Sequence, residues 1–331
     1  VVGNTATPRL GGLALSPDQL PITHPDNFIQ QDGRPTPSYR EKLRRIPNVR
    51  NAISVVSVYV QTIGVVIVAL WVNSTFRWPV AWITWAIAFV LMGRAHAQFA
   101  SLMHEAAHRL LFSHKKTNDF VGNWLLGYPT MTSTPAYRRV HMVHHRQEFG
   151  PEEPDIPLYA NYPVSSASLR RKLVRDATGQ TGVKLLSAQI RGLRSTDVRV
   201  RNTLIKMLLI QVMVFSVLTA LGYPLLYLLM WALPYLTVWR VINRLRSIAE
   251  HGGLRGDNDR RITTHSVRQS LVARFFLVPF NIGWHLAHHV DAGVPFRNLP
   301  NYHRHLHEAG YVTTQIEYPS YRAIWRACAG N

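Results

Sequence analysis

MLLIQVMVFSVLTALGYPLLYLLMWALPYLTVW, Met207 to Trp239, contains not one charged residue. A helix crosses the hydrocarbon of a bilayer in about 20 residues, so this run is too long for one crossing. It is broken at Gly222-Tyr223-Pro224, and Gly with Pro punctuates helices. The run therefore reads as two spans, about 204–221 and 224–241, joined by a tight turn. The same pattern recurs upstream. Ala52 to Val72 is uncharged and reads as a span over 52–72, and Asn73 to Arg77 is a short polar turn. Pro79 to Gly93 is uncharged again, and its helical pattern runs on through Arg94, His96 and His104, giving a span over about 79–100 that continues into the aqueous phase. The expected fold is all-α: four transmembrane helices in two hairpins, with the large loops forming a helical cytoplasmic cap.

The formal charge of +19 lies between these runs. Basic residues cluster in Arg44–Arg50, Arg138–Arg146, Arg170–Arg201 and Arg240–Arg274, while the turns near Ser74 and Gly222 carry almost none. The positive-inside rule places both termini and all the large loops in the cytoplasm. It accounts for most of the charge without nucleic acid, and the basic face meets anionic lipid. Residues 1–50 are polar, proline-bearing and aperiodic, with no visible secretory signal peptide, and read as a cytosolic lead-in ahead of a membrane domain over 51–331. The single cysteine, Cys328, excludes a disulfide framework and any Cys-ligated zinc or iron–sulfur site. No repeat or low-complexity tract stands out.

Three histidine clusters carry the chemistry. His104 and His108 form H-x-x-x-H; His141, His144 and His145 form H-x-x-H-H; His285, His288 and His289 repeat it. On a helix, positions i, i+3 and i+4 share a face, so each cluster aims its imidazoles at one point. Neutral imidazole suits zinc, iron and copper. With 16 His in 331 residues, random placement gives on the order of 0.04 H-x-x-H-H matches, which is the false-positive test a motif has to pass. Each cluster falls near a membrane-embedded segment, the third just after the apolar stretch Leu271–Phe280, which reads as interfacial. Eight imidazoles exceed the ligands of one tetrahedral metal and point to two ions. His104-Glu105-Ala106-Ala107-His108 is also a literal H-E-x-x-H, so a membrane zinc protease is a rival, one that leaves the other two clusters without a role.

In these motifs the chain resembles the membrane fatty-acid desaturase family from about Arg94 to Leu306. The resemblance rests on HEAAH at 104–108, HMVHH at 141–145 and HLAHH at 285–289. Pro154-Asp155 after the second box and Val294-Pro295-Phe296 with Asn298-Leu299-Pro300 after the third support it. The family's further histidine ahead of box three matches His251, which makes nine metal ligands. Ser247 stands where some relatives have Asn, and Ala287 where box three often has Glu. Glu105, Asp155 and Glu250 are candidate carboxylates to orient the imidazoles. No other catalytic residue is expected beyond the metal centre. His303, His305 and His307 read as an exposed basic surface, and His305→Ala is expected to do little.

The resemblance implies two non-haem iron ions, O2 as co-substrate and a fatty-acyl or lipid substrate drawn from the bilayer. Electrons come from a separate donor of ferredoxin or cytochrome b5 type, since His24-Pro25-Asp26 is not the haem-binding motif of a fused cytochrome b5. Desaturation is the first expectation and hydroxylation of a lipid or other apolar substrate the second. A non-catalytic metal-binding or lipid-binding membrane protein is the alternative from another class.

Overall fold

The computed structural model describes residues 8–330. It is mostly helical with almost no strand. Among the described residues the sheet is one parallel pair of two-residue strands, β1 (Ser266–Val267) and β2 (Glu317–Tyr318). The helices that position the site are α1 (Pro37–Leu43), α2 (Asn48–Thr75), α3 (Val80–His108), α4 (Thr134–Arg146), α5 (Val198–Ala220), α6 (Pro224–His251), α7 (His285–Val290) and α8 (Leu299–Glu308). By its contacts the chain divides into two compact units. A span unit comprises Ile46–Arg138 and Lys172–Asn243; a histidine unit comprises the described residues up to Arg45, Arg139–Arg171 and Arg244 onward.

In the span unit, α2, α3, α5 and α6 are each long and apolar enough to cross a membrane. Proline opens three of them: Pro47 and Pro79 stand directly before α2 and α3, and Pro224 begins α6. Proline's fixed φ suits a helix start, where its missing N–H is not needed. The helices are apolar on their outer faces as well, with Ile63, Ile67, Trp82, Leu209 and Val212 exposed. A helix hydrophobic all round belongs in lipid or a large core. Ala69, Ala88, Met92 and Met230 form the interior, with Trp85, Phe89 and Trp231 against them. Small residues allow close approach there: a Cβ on Gly93 of α3 would stand within 2.3 Å of Val238 of α6. α6 widens to a π-helical turn over Tyr227–Ala232 just before Pro234. Proline removes an i→i−4 hydrogen bond, and a π-turn is one way the backbone absorbs that loss.

In the histidine unit, residues 8–45 pack rather than dangle. Ile29 is fully buried and Tyr39 and Leu43 are buried, while the Tyr302 hydroxyl of α8 donates to the Gly33 carbonyl (2.8 Å). Arg40 and Arg44 of α1 reach the Asp291 carboxylate at 2.8 and 2.6 Å, closing the C-terminal end of α7. Residues 8–45 of the aperiodic lead-in are therefore part of this unit. Leu271–Phe276 forms a short helix whose Leu271 and Val272 are exposed.

Candidate metal centre

Box one ends α3 in the span unit. His104 is buried, and its ring lies 4.7 Å from that of His108. Arg109 turns left-handed to stop the helix. The carbonyls left over at the helix end are taken up by Arg138, which donates to Ala107 and Ala106 (2.7 and 2.8 Å), and by Asn118, which donates to Ala106 (2.8 Å). Asp119 holds Arg138 in turn at 2.6 Å. Box one thus stands on a helix terminus fixed by side chains.

The histidine unit gathers seven imidazoles from α4, the end of α6 and α7. His251 donates its Nδ1–H to the Thr263 carbonyl (2.8 Å), and the Nδ1 of His289 meets Glu148 at 2.5 Å. With Nδ1 carrying the proton, Nε2 of each ring is a lone pair. Both point at Nε2 of His285, 3.0 Å away in each case. His285 has one ring proton when neutral, so it can satisfy at most one of them; the opposed lone pairs that remain call for a cation. His144 completes this group: its Nδ1 is held by Glu153 at 2.9 Å, and the ligating atoms of His144, His251, His285 and His289 all lie within 4.8 Å of one another. A second group stands beside it, with the Nε2 of His145 at 3.1 Å from that of His141 and 3.1 Å from that of His288. The His145 and His289 rings stack at 4.4 Å, so the two groups are neighbours. Nitrogens bound to one ion at roughly 2.0–2.1 Å stand about 3 Å apart when their bonds meet near a right angle. The residues fit a pair of metal ions.

The electrostatics agree. Burial, then the nearby histidines, hold His285 and His289 well below the usual imidazole range. They are neutral, the form that ligates. Burial pushes the Glu148 carboxyl up against the opposing pull of Arg260, whose guanidinium lies 2.7 Å from it.

The carboxylates that orient the rings differ from those expected. Glu153, not Asp155, accepts the hydrogen bond from His144 Nδ1; Asp155 stands beside them and gives its backbone N–H to Glu153 (3.1 Å). Glu148 was not anticipated. Glu250 is 3.6 Å from His285 Nδ1, beyond a hydrogen bond, and is gripped by Arg246 at 2.6 Å. Glu105 is buried within α3 beside box one. The signal for Glu148 and Glu153 lay in their nearness to box two: with Glu152 and Asp155 they form an acidic run directly after it, in a chain that is otherwise strongly basic. Ala287 is fully buried and Ser247 stands one turn before His251 on α6.

One expectation is overturned. His303 and His305 are buried, not an exposed basic surface. His303 and His307 share the Glu317 carboxylate of β2 at 3.0 and 3.4 Å, which also accepts from Ser266 and Arg268. His305 stacks on Phe28 at 4.2 Å and meets Glu308 at 2.8 Å. One turn of alternating histidines becomes interior because α8 is covered by the N-terminal residues and by β2.

Comparison with known proteins decides the family. A family profile described as fatty acid desaturase matches residues 76–321. The chain belongs to the fatty acid desaturase family. Among curated proteins it is similar to the dihydrorhizobitoxine desaturase of Bradyrhizobium elkanii, 24% identical over 232 residues, which cover 66% of this chain and 66% of that relative. Family membership makes it a member of the desaturase and hydroxylase superfamily, an oxidoreductase class, and agrees with the four apolar helices and histidine clusters.

Proposed function

We propose that this chain is a membrane-bound, oxygen-dependent desaturase that introduces a double bond into the alkyl chain of a fatty-acyl or lipid substrate, using two iron ions. The observation that carries the reading is the convergence of ring nitrogens. His251 and His289, each with its far nitrogen committed to an acceptor, turn lone pairs on His285. The proposed ligands are His104, His108, His141, His144, His145, His251, His285, His288 and His289. When bound, the iron pair supplies the oxygen-dependent removal of hydrogen from an unactivated C–H bond, which side-chain acids and bases cannot perform.

The chain's own groups do the rest. Glu148, Glu153 and the Thr263 carbonyl fix the tautomer and ring orientation of three ligands. Arg40 and Arg44 hold the end of α7 through Asp291. Desaturation is placed ahead of hydroxylation because a relative is a desaturase. The four spans form two hairpins, with termini and histidines on the cytoplasmic side where the basic residues lie. A separate donor of ferredoxin or cytochrome b5 type supplies electrons, its acidic surface meeting this basic one.

Elemental analysis of detergent-purified protein tests the reading. Two irons per chain are expected, lost in His144→Ala and His288→Ala while membrane insertion persists. One zinc, retained when the second and third boxes are altered, would replace this reading with the metalloprotease one. Lipid profiling in the presence and absence of oxygen then reads the reaction.

A further inference from the structure

Among the described residues, no carboxylate pairs with Arg240 of α6. Its Nε and one terminal nitrogen are buried and have no hydrogen-bond partner among the described residues. Its guanidinium lies over the Tyr235 ring, 4.2 Å from the centroid. The same Tyr235 ring faces His96 of α3, 5.3 Å away. His96 is 1% exposed, and its Nε2 lies 3.1 Å from the Trp231 carbonyl, which can only accept. The Nδ1 of neutral His96 is therefore a buried lone pair, and it too has no partner among the described residues. All four residues belong to the span unit.

Leaving such groups unpaired is costly, more so for a charge. Cation–π contact with Tyr235 recovers only part of what water would give a guanidinium. An ionisable side chain within a membrane span marks a functional site by default. The two orphaned groups are complementary to one chemistry: Arg240 asks for an anionic oxygen, His96 for an N–H or O–H donor. Along α3, His96 precedes His104 by eight residues, about 12 Å at the helical rise.

We propose that Arg240 and His96 form the head-group site of the substrate, which is an alkyl-chain acid with a free carboxylate and an adjacent hydroxyl or amino group. Arg240 takes the carboxylate and the Nδ1 of His96 accepts the neighbouring O–H or N–H. The proposal rests on the desaturase reading, with box one marking the reacting end about 12 Å along α3. It narrows the substrate from any lipid to an unesterified acid.

Binding, not turnover, tests it, so failure here is separable from failure of the iron assignment. Metal-loaded full-length protein in phosphatidylcholine nanodiscs is titrated with dodecanol, dodecanoate and 2-hydroxydodecanoate. Dodecanoate is expected to bind roughly tenfold or more tighter than dodecanol, the size of a hydrogen bond to a charged group. The hydroxy acid should bind tighter still. Arg240→Gln should abolish the preference for acid over alcohol with metal content unchanged, and His96→Phe should remove only the gain from the hydroxyl. Equal binding of acid and alcohol by the wild type overturns the proposal without needing any variant to fold. So does an acid preference that survives in Arg240→Gln. Loss of the preference in nanodiscs containing phosphatidylglycerol, when it is intact in phosphatidylcholine alone, assigns Arg240 to a lipid phosphate and overturns the substrate role.

Discussion

Glu148 carries two duties at one carboxylate: it meets the His289 ring at 2.5 Å and the Arg260 guanidinium at 2.7 Å. Outer partners of this kind are worth about 10- to 100-fold in metal affinity when removed. Glu148→Ala should therefore weaken metal retention by that factor in a chelator competition, with the helical content preserved; an unchanged affinity would mean that His289 is held by packing alone. Glu317 offers a separate test by pH. Burial alone would raise its carboxyl, but hydrogen bonds from His303, His307 and Arg268 outweigh burial and hold it well below the usual carboxylate range. A depressed carboxyl stabilises the fold above its unfolded pKa, about 4.3, and that contribution is lost as pH falls towards the folded value. The melting-temperature gap between wild type and Glu317→Gln should be full from about pH 7 to 5 and narrow below about pH 4. A gap that widens in acid would give the stabilisation to the histidines instead. Legibility at this scale divides by mechanism. Within each histidine box the grouping was readable, because helical spacing alone puts residues i, i+3 and i+4 on one face. Glu148, Glu153 and the burial of His303 and His305 were not, because each depends on a loop or a distant segment folding back.

At the scale of elements, charge-free runs located all four long helices, since a run of that length has to be either buried or in lipid. What they missed was local: the π-turn of α6 at Tyr227–Ala232, and α1, seven residues in an aperiodic stretch whose order comes from Asp291 rather than from its own periodicity. Helix contact within the span unit depends on small residues, and Gly93 is among the most demanding, with an added Cβ only 2.3 Å from Val238. Gly93→Ala should cost about 1–3 kcal/mol, the usual penalty for overpacking. Val238→Ala in the same chain should return most of it, giving a coupling of roughly 0.5–3 kcal/mol in a double-mutant cycle. Thermal unfolding in detergent reads both; strictly additive effects would show that α3 and α6 do not meet at this pair.

For the whole molecule, charge asymmetry is the argument that composition alone hides. Hydrophobic content of 47% and a net +19 read as a basic soluble protein until the charges are mapped between the apolar runs. Once mapped, the two short turns near Ser74 and Tyr223 are nearly free of Lys and Arg, whereas Arg170 to Arg201 is dense with them. Positive charge in short loops stays cytoplasmic, so the two turns should face outward and the Arg170 region inward. The chain is suited to measuring this, because its single cysteine, Cys328, is fully buried and burial pushes its thiol up to about 12, leaving little thiolate to react. Ser74, Ala167 and Tyr223 are all exposed, so cysteines introduced there report on the side they face. In intact cells, a membrane-impermeant maleimide should label Ser74→Cys and Tyr223→Cys at once and Ala167→Cys only after permeabilisation. Labelling of Ala167→Cys from outside would invert the topology and put the histidines on the face away from any cytoplasmic electron donor. Labelling of only one of the two turns, with Ala167→Cys still protected, would mean that the other turn stays on the cytoplasmic side, so that its hairpin does not cross the membrane and two crossings rather than four remain.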